Sequence, residues 1–280
     1  MSDLFSAAEA ISRIPGIEPA KARYRLLGGG RSNRSWLVEA EERKLVLRLD
    51  GPRAKELGLD RRRERAILAR AGGQGVAPEV VFADADAGIL VYEYLEGRCW
   101  TRADLEDGSN LEKLAALLRR VHALPRSGVP FDAAGAAARY VALIRGNEAL
   151  LSFGQRCREI AEAVPVPARV ACCHNDVVAA NVVATPELRL LDWEYACDNE
   201  PLFDLASVIG YHDLDEPQKT SLLRAYAGSE DAERRALLNE QLRLFDALQW
   251  LWLAVREAAD PRESQRARLA ELARRITASA

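Results

Sequence analysis

A chain of 280 residues can form one large domain or two lobes with separate cores. Its 49% hydrophobic and 29% charged content suits a soluble globular enzyme, and a formal net charge of −3 argues against a nucleic-acid binder held by phosphate neutralisation. The opening Met1-Ser2-Asp3-Leu4-Phe5 has no basic n-region, and no apolar run reaches the roughly 18 residues that a bilayer crossing needs, so neither secretion nor membrane insertion is expected. Five cysteines, an odd number without a C-x-x-C pair, fit reduced thiols and a cytoplasmic location.

The pattern predicts a helix from about Asp3 to Ile14, stopped by Pro15-Gly16. Arg23–Leu27, Ser35–Glu39 and Lys44–Asp50 alternate as three strands of an antiparallel meander. The turn between the first two, Gly28-Gly29-Gly30-Arg31-Ser32-Asn33, could bring backbone amides to a phosphate with Ser32 and Asn33 as added donors; a flexible hairpin tip would read the same way. Asp60 to Ala71 is helical, with Ala66, Ile67 and Leu68 on its inner side, Glu64 at its centre and the Arg61-Arg62-Arg63 run on a solvated face. Two more strands, Glu79–Ala83 and Gly88–Tyr94, lead to a break at Leu95-Glu96-Gly97. Beyond it the chain turns helical, from Ser109 to Leu124, in two segments over Asp132–Glu162, and again over 201–211, 216–227, 231–258 and 262–278. The expectation is an α+β fold of a small β-rich lobe, residues 1–96, and a larger helical lobe, residues 97–280.

The last two helical groups flank the most informative stretch, Ala171-Cys172-Cys173-His174-Asn175-Asp176-Val177-Val178-Ala179-Ala180-Asn181-Val182-Val183, followed by Arg189-Leu190-Leu191-Asp192-Trp193. It sets Asp176, Asn181 and Asp192 on loops beside short apolar strands. Three oxygen-bearing side chains in such a setting suit magnesium and a phosphoryl group. A zinc site is disfavoured, because the chain has three histidines and none is near-spaced to His174.

His174-x-Asp176-x-x-x-x-Asn181 with Leu191-Asp192 resembles the catalytic and metal-binding loops of the protein-kinase-like fold, and most nearly its aminoglycoside phosphotransferase and choline kinase superfamily. His174-Asn175-Asp176 and Leu191-Asp192-Trp193-Glu194-Tyr195-Ala196 are similar to the choline/ethanolamine kinase and bacterial thiamine kinase branches. The resemblance covers most of the chain, since the lobe order agrees. It implies a two-lobed kinase using ATP and Mg2+, with Asp176 as the general base toward an acceptor hydroxyl and Asn181 and Asp192 holding the metal. His174 and Asp204 would brace the loop. Arg48 would take the place of the phosphate-binding lysine of many kinases, oriented by Glu64, and backbone groups of the hinge at Glu93 and Leu95 would hold adenine.

The branches named share an acceptor with a hydroxyl near a cationic nitrogen, which wants aromatic faces and carboxylates. Glu194, Tyr195, Tyr211 and Trp252 are the substrate-binding candidates, Trp252 lying on a helical stripe with Phe245, Leu248 and Val255. A core position would suit Trp252 equally. Choline or ethanolamine is the expected acceptor. Thiamine stands close behind, an aminoglycoside further off for want of a dense acidic run, and a non-catalytic pseudokinase or a metal-dependent hydrolase is the rival of another class. Nothing in the sequence specifies an oligomeric state.

Overall fold

The computed structural model describes residues 6–27, 33–51 and 56–278. In chain order its elements are α1 (Ala7–Ile11), β1 (Arg23–Leu27), β2 (Asn33–Ala40), β3 (Arg43–Asp50), α2 (Arg61–Gly73), β4 (Val80–Asp84), β5 (Ile89–Glu93) and β6 (Arg98–Cys99). Then follow α3 (Gly108–His122), α4 (Ala133–Leu143), α5 (Glu148–Ala163), β7 (Ala171–Cys173), β8 (Val182–Ala184), β9 (Leu188–Leu190) and β10 (Cys197–Asn199). Four helices close the chain: α6 (Leu202–His212), α7 (Glu216–Ala227), α8 (Ala232–Ala259) and α9 (Glu263–Ala278). Two compact units result, one formed by Met1–Thr101 with Ala179–Ala196, the other by Arg102–Val178 with Cys197–Ala280. The boundary expected after Glu96 lies close to this division at Thr101, and the segment 179–196 groups with the N-terminal unit.

That unit is built on an antiparallel sheet of order β1-β2-β3-β5-β4. Side chains alternate across a strand, so β3 sends Leu45, Leu47 and Leu49 into an apolar cluster with Ile11 and Ile14, and Val46, Arg48 and Asp50 to the opposite face. Asp60 caps α2 by accepting from the amides of Arg62 and Arg63. Helical spacing then puts Arg61, Glu64, Arg65 and Leu68 on one stripe, which is why the β3 charges find partners there. Ala66, expected inside, is exposed. The first helix is shorter than predicted: Ser6 and Glu9 close a capping box at its start, and the chain turns after Ile11.

A second sheet in this unit, of order β6-β8-β9, pairs residues far apart in sequence. Gly97 makes that possible, because a Cβ there would sit 2.5 Å from the carbonyl oxygen of Ala184. In the helical unit, α3 buries Leu111, Leu114, Leu117, Leu118 and Val121 as its periodicity predicts, and α6 is buried along most of its length. The pair β7 and β10, with Cys173 opposite Cys197, supports the loop that carries Asp176.

Candidate active site

In the N-terminal unit the hairpin β8–β9 places the two candidate metal residues. Val182 pairs with Leu190, and one step further the Leu191 amide donates to the Asn181 carbonyl at 2.8 Å, so Asn181 and Asp192 stand at the same open end of the ladder. Asp192 has left-handed backbone, φ 60°, and a side chain 41% exposed. Its Oδ1 lies 3.6 Å from Nη1 of Arg48. The donor set, a carboxylate and an amide oxygen, is the hard oxygen chemistry that Mg2+ takes.

Arg48 is buried and grips Glu64 with both ends of its guanidinium, Nη1 to Oε1 at 2.5 Å and Nη2 to Oε2 at 2.7 Å. Burial alone would lower the pKa of Arg48 and raise that of Glu64. Their mutual attraction, joined by Arg61 at Glu64, wins on both sides: the guanidinium is raised and the carboxyl lowered. The ion pair expected from the sequence is therefore formed, and formed inside the protein.

Arg61 is the residue that sequence reasoning missed. It was assigned to a solvated face with Arg62 and Arg63, and Arg62 is indeed exposed. Arg61 turns inward instead. Its guanidinium meets Glu64 at 2.9 Å, Glu194 at 3.0 Å, Asp50 at 3.3 Å and the Asn33 amide oxygen at 2.7 Å. The i, i+3 spacing to Glu64 was the available signal, but spacing alone does not distinguish an inner from an outer stripe.

Two residues expected to meet ligands have protein partners here. Glu194, predicted to face a cationic acceptor, is buried and takes Arg61 together with the amide of Asn33 at 3.0 Å. Asn33, predicted to help cradle phosphate, spends its donor on Glu194 and its oxygen on Arg61 and the Gly51 amide. Ser32 and Gly28 to Gly30 lie outside the described residues. Glu93 ends β5 with its amide donating to the Glu79 carbonyl at 3.0 Å, and Leu95 follows in irregular backbone.

In the helical unit the loop after β7 is held from beneath by Asp204 on α6. One carboxylate oxygen accepts the Asn175 amide at 2.6 Å; the other accepts the His174 amide at 2.9 Å and faces Nε2 of His122 at 2.8 Å. Burial would raise the pKa of Asp204, but these partners, His122 first, bring it below the usual carboxylate range. Ser207 adds a hydroxyl that accepts the Val177 amide at 3.1 Å. Asn175 has φ 64°, a strained turn that this bracing sustains. His174 is fully buried and its Nδ1 accepts the Asp176 amide at 3.3 Å, a brace's position.

Asp176 itself is half-buried, and the hydroxyl of Tyr211 donates to its Oδ1 at 2.6 Å. Tyr211 stands edge-on to Phe245 at 4.9 Å between ring centroids. Trp252, two turns further along α8, is half-buried and already carries Arg256 over its ring at 4.8 Å. Trp250 is the core tryptophan, against Phe153 and hydrogen-bonded to the Leu269 carbonyl. Tyr195 is half-buried beside Glu194 in the other unit. An 810 Å³ cavity in the helical unit, lined by Asp213, Asp246, Arg275 and neighbours, contains none of the predicted acceptor residues.

One unit thus carries oxygen donors beside a carboxylate-anchored guanidinium, and the other a braced aspartate loop. The chain belongs to the phosphotransferase enzyme family, whose family model matches residues 23–238. It is 32% identical over 244 residues to the thiamine kinase of Salmonella paratyphi B, an alignment covering 85% of this chain and 81% of that one. Among solved structures, a choline/ethanolamine kinase family protein from Mesorhizobium loti superposes with a TM-score of 0.75 at 24% identity, covering 98% and 93% of the two chains. The choline kinase LicA from Streptococcus pneumoniae does so with 0.74 at 20%, covering 91% and 93%. The fold is thus the protein-kinase-like one that the motifs implied, in a chain of the phosphotransferase enzyme family.

Proposed function

We propose that the enzyme transfers the γ-phosphoryl group of ATP, with magnesium, to the hydroxyl of a small alcohol bearing a cationic nitrogen. The observation that carries this reading is the state of Asp176: its loop is pinned by Asp204 and Ser207, and its Oδ1 already receives a hydroxyl donor at 2.6 Å from Tyr211. An acceptor hydroxyl needs the same kind of oxygen to orient it and take its proton. Arg48, held by Glu64, would bind phosphate oxygens, and backbone groups of Glu93 to Leu95 would hold adenine. Asn181 and Asp192 would hold Mg2+, which when bound neutralises charge on the transferring phosphate. Fixed positioning of the reacting groups carries most of the catalysis in such a reaction, and the buried braces supply it.

For the acceptor, thiamine now stands ahead of choline and ethanolamine. Similarity to a named thiamine kinase supports it, at 32% identity over most of the chain. Of the residues expected around a cationic acceptor, Glu194 pairs with Arg61 and one face of Trp252 carries Arg256. Tyr195, Tyr211 and Trp252 remain the acceptor-side candidates. A cytoplasmic setting agrees with five cysteines in no disulfide, four of them buried. Among the described residues no helix is long and apolar enough to cross a membrane.

An ATP-consumption screen over thiamine, choline, ethanolamine and aminoglycosides tests the proposal, with Asp176→Asn as control. Turnover with a cationic alcohol that vanishes in the variant is expected. ATP binding without turnover on any alcohol would favour a non-catalytic nucleotide-binding role, and phosphate release from a phosphoester without ATP would favour a hydrolase.

A further inference from the structure

Around the proposed phosphate-binding Arg48 lies a set of charges that, beyond Arg48 itself, the transfer does not use. Arg48, Arg61 and Arg65 meet Asp50, Glu64 and Glu194, three cations against three carboxylates, each with at most 12% of its side chain exposed. Arg61 is the hub. Arg48 reaches Glu64, Asp50 and Asp192, and Arg65 reaches Asp50; Arg61 alone among these three extends to Glu194.

Glu194 is two residues beyond Asp192. The turn between them is left-handed at Asp192, an unfavourable conformation for a residue with a side chain, and surrounding contacts must hold it. Some contacts are local: the Trp193 indole donates to the Leu190 carbonyl at 2.9 Å, and the Ala196 amide to the Trp193 carbonyl at 3.0 Å. Another reaches outward, from Glu194 to Arg61 and Asn33. Through Arg61 it continues to Glu64, and from Glu64 to Arg48. The turn that bears Asp192 and the guanidinium on β3 are therefore fastened to the same two side chains of α2.

We propose that Arg61 is a positioning residue for magnesium binding: by clasping Glu194 to Glu64 it fixes the turn of Asp192, and it sets that turn in register with Arg48. The inference rests on the reading of Asp192 as a metal ligand. It assigns Glu194 to the metal side of the reaction and withdraws it from the acceptor side. In this proposal the effect of Arg61 passes through Glu194 and Glu64.

Calorimetric titration with ADP, in Mg2+ and in EDTA, separates these roles. Arg61→Met is expected to weaken binding of magnesium-ADP by roughly ten- to a hundred-fold, the usual effect of losing a group that orients a metal ligand, while metal-free ADP affinity stays unchanged. Glu194→Gln, which keeps shape and cuts the clasp from its other end, should reproduce the loss even if Arg61→Met folds poorly, and Arg61→Lys should recover part of it. The double variant should bind no more weakly than the worse single one. Equal losses with and without magnesium, no loss, or additive losses in the double variant would overturn the proposal. Asp192→Asn serves as the separate control: if it retains the magnesium enhancement, the metal reading itself fails, whatever Arg61 does.

Discussion

Replacing Glu64 by glutamine removes one negative charge from the most buried ion pair of the sheet unit and leaves its shape in place. Glu64 has no exposed surface, is the closest partner of Arg48 and is the carboxylate nearest Arg61. Removing one member of a buried pair costs about 3–5 kcal/mol, because the remaining charge stays desolvated. Here Arg48 keeps Asp50 at 3.5 Å and Asp192 at 3.6 Å, and Arg61 keeps Glu194 at 3.0 Å. Those fallbacks put the expected loss at the lower end, about 3 kcal/mol. Urea unfolding reads it as a lower midpoint with an unchanged slope. The pH dependence has a definite sign. Arg48 and Arg61 outweigh burial and hold the Glu64 carboxyl below its ordinary value of 4.5, so its contribution is complete above that pH and disappears as acid protonates it. The gap between the native protein and Glu64→Gln should therefore be full near neutrality and close on acidification below about 4.5. A loss under about 1 kcal/mol, the scale of an exposed ion pair, would refute the reasoning, as would a gap that widens in acid.

Tyr211→Phe deletes the hydroxyl on Asp176, a hydrogen bond to a charged group worth about 1.5–3 kcal/mol, and should lower kcat/KM for the acceptor about ten-fold or more with the KM for ATP unchanged; equal kinetics would remove Tyr211 from the site. Asp246 behaves oppositely to Glu64. Burial outweighs Arg275 and lifts its carboxyl to about 6, so native stability should fall as pH rises from about 4 through 6. Asp246→Asn should flatten that slope, a difference of about 3 kcal/mol across the range, checked by urea unfolding at intervals of pH. Trp252→Ala should raise the acceptor KM and leave nucleotide affinity intact; unchanged acceptor kinetics would return Trp252 to a packing role.

Much of this architecture is legible in the sequence because its signals are local. The helices of the second unit and the strands of the meander fall within a few residues of their predicted bounds, since period and turn chemistry decide them. His174, Asp176, Asn181 and Asp192 declare themselves by spacing between apolar strands. What the sequence hides is long-range. The pairing of β6 with β8 carries residues 179–196 into the N-terminal unit, and nothing near Gly97 announces Ala184 as its neighbour. Arg61 hides among three adjacent arginines, because helix phase alone does not say where Glu194 will lie. The Arg61 partner of Glu194 is hidden for the complementary reason: a carboxylate beside a metal loop looks available until its buried cation is found. Ala66 follows the same rule, one position off the inner stripe.

The central claim is that Asp176 directs phosphate from ATP onto a small alcohol. Mass spectrometry of thiamine, choline and ethanolamine, each incubated with ATP, Mg2+ and either the native protein or Asp176→Asn, tests it on the product itself. One of these alcohols should gain a single phosphoryl group with the native protein and remain unmodified with the variant. Phosphorylated acceptor at equal rates from both proteins would contradict it.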